Sequence, residues 1–168
     1  NLEGNILGLS LLDEAQAIQL ASHTAVPVPT VYGVFDEQHP IGEAFIMAFI
    51  GGESIPQRWL TEAAFAPARD QLAYQCGEAL ARIHTIDCAN LPGTIGPTTL
   101  TRRFEAAQDR LHAFGNVSPA LQFGLNWLID HAPADTPHVL LHGDFRTGNL
   151  LINNSGLCGV LDWELTHQ

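Results

Sequence analysis

The chain contains no lysine. Its seven basic residues, Arg58, Arg69, Arg82, Arg102, Arg103, Arg110 and Arg146, face 18 acidic ones, giving a formal charge of −11 over 168 residues. Clustered lysine and arginine hold proteins on nucleic acid and on anionic membranes, so this balance argues against both partners. Cysteine is also sparse: Cys76, Cys88 and Cys158 are odd in number and far apart, with no C-x-x-C pair. That argues against a disulfide framework and a zinc ribbon, and fits buried thiols in a reducing compartment. No run of 18 apolar residues occurs, and the opening NLEGNILGLS lacks the positive charge and apolar block of a signal peptide, so a soluble cytoplasmic protein is expected. With 46% hydrophobic and 15% charged residues, the composition is globular and sufficient for a sizeable core.

Chemistry concentrates near the C-terminus, where residues 141–165 read LHGDFRTGNLLINNSGLCGVLDWEL. Short apolar runs separated by the loop FRTG and the turn NNSG predict strand, loop, strand, turn, strand. Asp144 is expected at the end of the first strand, Asn149 at the far end of its loop, and Asp162 at the end of the strand after the turn. Magnesium takes oxygen ligands and commonly only one or two from the protein, so Asn149 and Asp162 suit it. Asp144, left free of metal, is placed to accept a proton from an attacking hydroxyl. One Gly-Asp or Asx-Gly turn alone is ordinary loop chemistry; the joint pattern with its flanking apolar runs favours a site. Strand alternation also puts His138, His142 and Asp144 on one face as a zinc alternative, although no further ligand can be named for it.

The pattern H-G-D-x-x-x-x-N followed by D-W-E resembles the catalytic loop and metal-binding segment of the aminoglycoside phosphotransferase and choline kinase superfamily. Protein kinases carry H-R-D-x-x-x-x-N followed by D-F-G in the same order. Arg146 and the Trp163-Glu164 pair look most like the broad bacterial and acyl-CoA-dehydrogenase-associated members. The resemblance implies an α+β, two-lobed protein-kinase-like fold, with a small N-terminal sheet lobe and a larger, mainly helical C-terminal lobe, both incomplete within these residues. It implies ATP as phosphoryl donor, with GTP still open, and Mg2+ on Asn149 and Asp162. Asp144 would be catalytic, Arg146 would neutralise charge on the transferring phosphoryl, and His142 would support the loop. Such enzymes use a lysine on an N-terminal strand, paired with a helical Glu, to hold the α- and β-phosphates. Glu14 falls where that Glu would be, but the lysine is absent. Either the sequence is an incomplete record of a larger protein, or it is a degenerate nucleotide binder.

Along the chain, SLLDEAQAIQLASH predicts a helix capped by Ser10 with Asp13 at the capping-box position and a face of Leu11, Ala15, Ile18 and Ser22. Without a lysine, Glu14 also reads as a first-turn acid favouring the helix dipole. TVYGVFD and EAFIMAFI predict an antiparallel hairpin. The resemblance then implies an interlobe hinge at residues 47–52, with Met47 behind the adenine and the backbone of Ala48 and Ile50 offering it a carbonyl and an N–H. A helix from Ala68 carries the stripe Leu72, Cys76, Ala79, Leu80 and Ile83, with His84 as a packed core residue. Two more helices follow, the second with Ser118 as N-cap and Pro119 at its first position. Arg102, Arg103 and Arg110 read as a solvated face.

The expected organisation is a partial N-lobe at 1–50 and a partial C-lobe at 51–168, with the catalytic and metal segment at 138–165. The expected activity moves a γ-phosphoryl group to a hydroxyl of a small molecule. The competing reading is a non-catalytic, pseudokinase-like nucleotide-binding or scaffold module. Residue types alone leave the acceptor and the oligomeric state open.

Overall fold

The computed structural model describes residues 8–97, 99–113, 115, 117–133 and 138–168. Helix α1 (Leu11–Ser22) leads into β1 (Val31–Phe35) and β2 (Ala44–Met47), then α2 (Pro56–Thr61) and α3 (Ala66–Ile83). Helices α4 (Leu100–Ala113) and α5 (Pro119–Asp130) precede β3 (Leu150–Asn153) and β4 (Gly156–Val160). The chain forms two compact units, one taking in residues up to Gly96 together with Val139–Gln168, the other Pro97–His138.

Ser10 caps α1 as expected, its Oγ accepting from the Asp13 N–H at 3.1 Å. The box does not close reciprocally, because the Asp13 carboxylate instead accepts from the Thr94 hydroxyl at 2.6 Å. Glu43, just before β2, satisfies another free N–H of the first turn, that of Leu12, at 3.1 Å. The buried face is Ala15, Ala17, Ile18 and Ala21, whereas Leu11 and Ser22 are exposed. The expected stripe is rotated because three alanines let neighbouring backbone approach more closely than leucine would.

The β1–β2 hairpin is antiparallel, with Val31 opposite Met47 and Phe35 opposite Ala44, and a register irregularity between Val31 and Gly33. Val31 and Phe45 pack on the core, while Tyr32, Val34 and Ile46 face outward. In α3 the expected stripe is present in part and extends to Ala68: Ala68, Ala79 and Ile83 are buried, with Leu72 and Cys76 packed beside them. His84 is not a core residue; it caps the C-terminus of α3 and is exposed.

The β3–β4 hairpin forms over NNSG, with the Ser155 N–H donating to Asn153 Oδ1 at 2.8 Å. Gln75 of α3 grips the same turn, donating to the Ser155 carbonyl at 3.1 Å and accepting from the Leu157 N–H at 2.8 Å. The strand expected at 138–144 shrinks to one bridge, Leu141 to His167. Gly143, at φ +84°, turns the chain before a ladder can develop. Trp163, Ile18, Ile83, Ile95, Leu140, Ile152 and Val160 are the largest fully buried apolar side chains of this unit.

In the second unit α4 and α5 pack on each other. Thr99 Oγ1 accepts from the Arg102 N–H at 3.2 Å, and Pro119 opens α5. Ser118 stands at the N-cap, but its side chain makes no capping bond. Arg102 and Arg110 are exposed; Arg103 is half-buried rather than fully solvated. Among the described residues no helix is long and apolar enough to cross a membrane.

Candidate functional site

The loop around Asp144 begins at Gly143, where a side chain would strike the Leu165 backbone carbonyl. Beyond it the chain enters a single 3-10 turn, Thr147–Asn149, which feeds β3. Asp144 Oδ2 accepts from Arg146 Nε at 2.9 Å and from Asn149 Nδ2 at 2.8 Å, and the same amide nitrogen also reaches the Asp144 carbonyl at 3.0 Å. The Arg146 bond, aided by the Asn149 bond and by the charge of Arg146, holds the Asp144 carboxyl below the usual carboxylate range against a smaller desolvation effect. Gly148 leaves room for the Arg146 guanidinium, which lies where a Cβ would project.

His142 is 2% exposed and joins the two halves of the site. Its Nε2 bonds the Leu161 carbonyl at 3.1 Å, and its Nδ1 faces the Asp144 N–H at 3.3 Å. An amide can only donate, so Nδ1 is the acceptor and Nε2 carries the proton. Burial holds the imidazole below its ordinary pKa, outweighing the Leu161 bond and the charges of Asp162 and Asp144. With both ring nitrogens committed to backbone, His142 has no lone pair for zinc. Among the described residues no three or more His, Cys, Asp or Glu side chains form a group that could hold a metal.

Asp162 lies two residues beyond β4 rather than within it, at φ +66°. It is one of two non-glycine residues with positive φ among those described, the other being Ala25. The backbone on either side is pinned: the Leu161 N–H donates to the Asn149 carbonyl at 2.9 Å, and the Trp163 N–H donates to Glu14 Oε1 at 3.3 Å. The Trp163 ring is fully buried, packs 4.8 Å from His142, and donates through Nε1 to the Val160 carbonyl at 3.1 Å.

Asp144, Arg146 and Asn149 are thus in direct contact, and Asp162 joins them through backbone. Asn149 directs its amide nitrogen inward, and its Oδ1 has no partner among the described residues. The Asp162 carboxylate likewise receives no hydrogen bond from the described residues. Two uncommitted oxygen-bearing groups, an amide carbonyl and a carboxylate, fit the donor set magnesium prefers.

Glu14 arrives from α1. Burial raises its carboxyl pKa, the Trp163 N–H opposes this, and the nearby Asp162 and Glu164 charges reinforce it. Met47 ends β2 half-exposed, and the Ala48 N–H is committed to the Thr30 carbonyl at 2.8 Å. The Ala48 carbonyl and the Ile50 N–H have no protein partner among the described residues. After Gly51 and Gly52, Glu53 pairs with Ile152 of β3 through bonds of 2.8 and 3.1 Å. Sequence reasoning missed the anchoring roles of Gln75 and Glu43, whose partners are far away along the chain.

The chain is 28% identical over 167 residues to acyl-CoA dehydrogenase family member 10 of Mus musculus, covering 91% of this chain and 15% of that protein. It superposes on a Ralstonia eutropha JMP134 protein named as an aminoglycoside phosphotransferase with a TM-score of 0.74 and 26% identity, over 94% of this chain and 50% of that one. A choline/ethanolamine kinase family protein from Mesorhizobium loti shares the fold at a TM-score of 0.58 and 21% identity, over 95% of this chain and 50% of that one. The chain therefore spans half the length of each solved relative and a smaller share of the mouse protein. These neighbours give the α+β architecture its class, a kinase-like fold. The profile of the phosphotransferase enzyme family matches residues 9–167, and the chain belongs to that family.

Proposed function

We propose that this chain carries the catalytic centre of a cytoplasmic, ATP-dependent phosphotransferase that moves the γ-phosphoryl group to a hydroxyl of a small molecule. The observation that carries the reading is the division of labour at the loop: Arg146 and Asn149 both hold Asp144 Oδ2, while Asp144 Oδ1, Asn149 Oδ1 and the Asp162 carboxylate stay uncommitted among the described residues.

A carboxylate held at low pKa is a weak base, so the first task of Asp144 is to orient the acceptor hydroxyl toward the phosphorus. It takes the proton only as the new bond forms. Arg146 has N–H groups beyond the one spent on Asp144, and these neutralise charge on the phosphoryl oxygens. Magnesium on Asn149 and Asp162 would supply charge neutralisation at the phosphates. Met47 and the free backbone groups of Ala48 and Ile50 accept the adenine; GTP would meet the same backbone groups. Glu14 adjoins the metal segment.

Calorimetry with ATP and magnesium tests the metal assignment: Asp162→Ala abolishes magnesium-dependent ATP binding, and unchanged affinity would overturn it. Turnover of ATP against a panel of small alcohols tests catalysis. Activity lost in Asp144→Asn supports an enzyme, whereas nucleotide binding without turnover would support a non-catalytic module.

A further inference from the structure

The Arg146 side chain is long, flexible and 62% exposed, yet two contacts fix its guanidinium. Nε donates to Asp144 Oδ2 at 2.9 Å. The rest of the group lies back over the 3-10 turn Thr147–Asn149, against Gly148. A Cβ on Gly148 would collide with Arg146 Nη1 and would stand 3.3 Å from Cζ and 3.8 Å from Nη2. The bare Cα is therefore the surface on which the guanidinium rests. The backbone itself does not demand glycine here, because Gly148 is exposed and lies outside the group of glycines with positive φ.

Alanine at 148 could fit in two ways. Either the turn shifts, disturbing the buried Asn149 and Leu150 that follow it, or the far end of Arg146 swings away and breaks one solvent-facing ion pair. The second costs less, since such ion pairs contribute little to stability.

We infer that Gly148 is a positioning residue for Arg146: the missing side chain gives the guanidinium its seat beside Asp144, and a Cβ at 148 displaces the cation while leaving the loop intact. The use of the seated cation on the transferring phosphoryl rests on the phosphotransferase reading; the seat does not. A charge fixed before the reaction needs no reorganisation as phosphoryl charge develops, which is where preorganised groups contribute most.

The experiment compares the full chain as wild type, Gly148→Ala, Arg146→Ala and the double variant. Thermal melting reads the loop, solvent exchange of the Arg146 Nε–H by nitrogen-15 NMR reads the seat, and ATP turnover with the panel of small alcohols reads its use. Gly148→Ala melts like wild type while its Arg146 Nε–H exchanges faster. Removing one preorganised donor commonly costs about 10²- to 10³-fold in kcat, so Arg146→Ala loses about that factor. Gly148→Ala loses at least about tenfold in kcat with KM for ATP unchanged, and adding it to Arg146→Ala costs nothing further. Unchanged Nε–H exchange in Gly148→Ala would overturn the inference, because the guanidinium would not have moved. So would a marked loss of stability, which would mean that the turn gives way instead, or losses in kcat that add in the double variant, which would place the effect of Gly148 outside Arg146. If the wild type turns over no ATP with any alcohol, the phosphotransferase reading fails, and melting with Nε–H exchange decides the seat by itself.

Discussion

The Asn149 amide nitrogen holds Asp144 twice, donating to its backbone carbonyl at 3.0 Å and to its Oδ2 at 2.8 Å. Both partners are acceptors, so the amide orientation is determined and Oδ1 must point away from Asp144. One side chain thereby sets the shape of the loop and keeps its own oxygen out of it.

Asp144 owes its low pKa first to the Arg146 bond and then, among the stabilising contacts, to Asn149. Removing either donor weakens the charged form, so the carboxyl titrates at higher pH in both Arg146→Ala and Asn149→Ala, with the larger displacement in Arg146→Ala. Carbon-13 NMR of the Asp144 carboxyl measures this directly. A displacement to lower pH in either variant would contradict the hydrogen-bond account.

His142 is held neutral by burial, with its pKa below the ordinary 6.5. The folded state then binds fewer protons than the unfolded state in the window beneath that value. Its contribution to stability is complete above about pH 6.5 and declines as the pH falls from there through the folded pKa. Thermal melting between pH 8 and pH 5 should show this loss, and His142→Asn should flatten it. An equal slope in the variant would place the proton uptake elsewhere.

At Gly143 the left-handed φ of +84° coincides with contact against the Leu165 carbonyl. Alanine there combines a left-handed penalty with overpacking against backbone, for a loss of about 2–4 kcal/mol in denaturant unfolding. A loss below 0.5 kcal/mol would mean that the loop relaxes away from residues 165–167.

Gln75→Ala removes one acceptor and one donor from the β3–β4 turn. The Leu157 N–H is partly buried and loses its partner, so destabilisation of about 1–2 kcal/mol is expected in urea melts. Faster amide exchange should be confined largely to residues 155–157.

Much of the site was readable because its chemistry is local: Asp144, Arg146 and Asn149 fall within six positions, and the turn residues between them determine their contact. The capping of α1 by Ser10 and both hairpins were readable for the same reason. The strand expected at 138–144 was not, since an apolar run becomes a ladder only where a partner runs alongside it, and Leu141 meets only His167. Pattern also misplaced the buried face of α1, because Ala17 and Ala21 carry little hydrophobic signal yet allow the closest approach. The partner of Glu14 depends on contact across 149 positions, which residue types at either end do not encode.

The grip of Gln75 on the β3–β4 turn bears on the order of assembly. By chain distance this hairpin is among the most local elements, and an isolated two-stranded hairpin is at best marginal in water. Its turn is completed by a side chain 80 and 82 positions away. Closing that long loop carries an entropy cost that must be met before the contacts form. The hairpin therefore matures with the docking of α3, and the segments bearing Asn149 and Asp162 at either end of it become ordered late in folding.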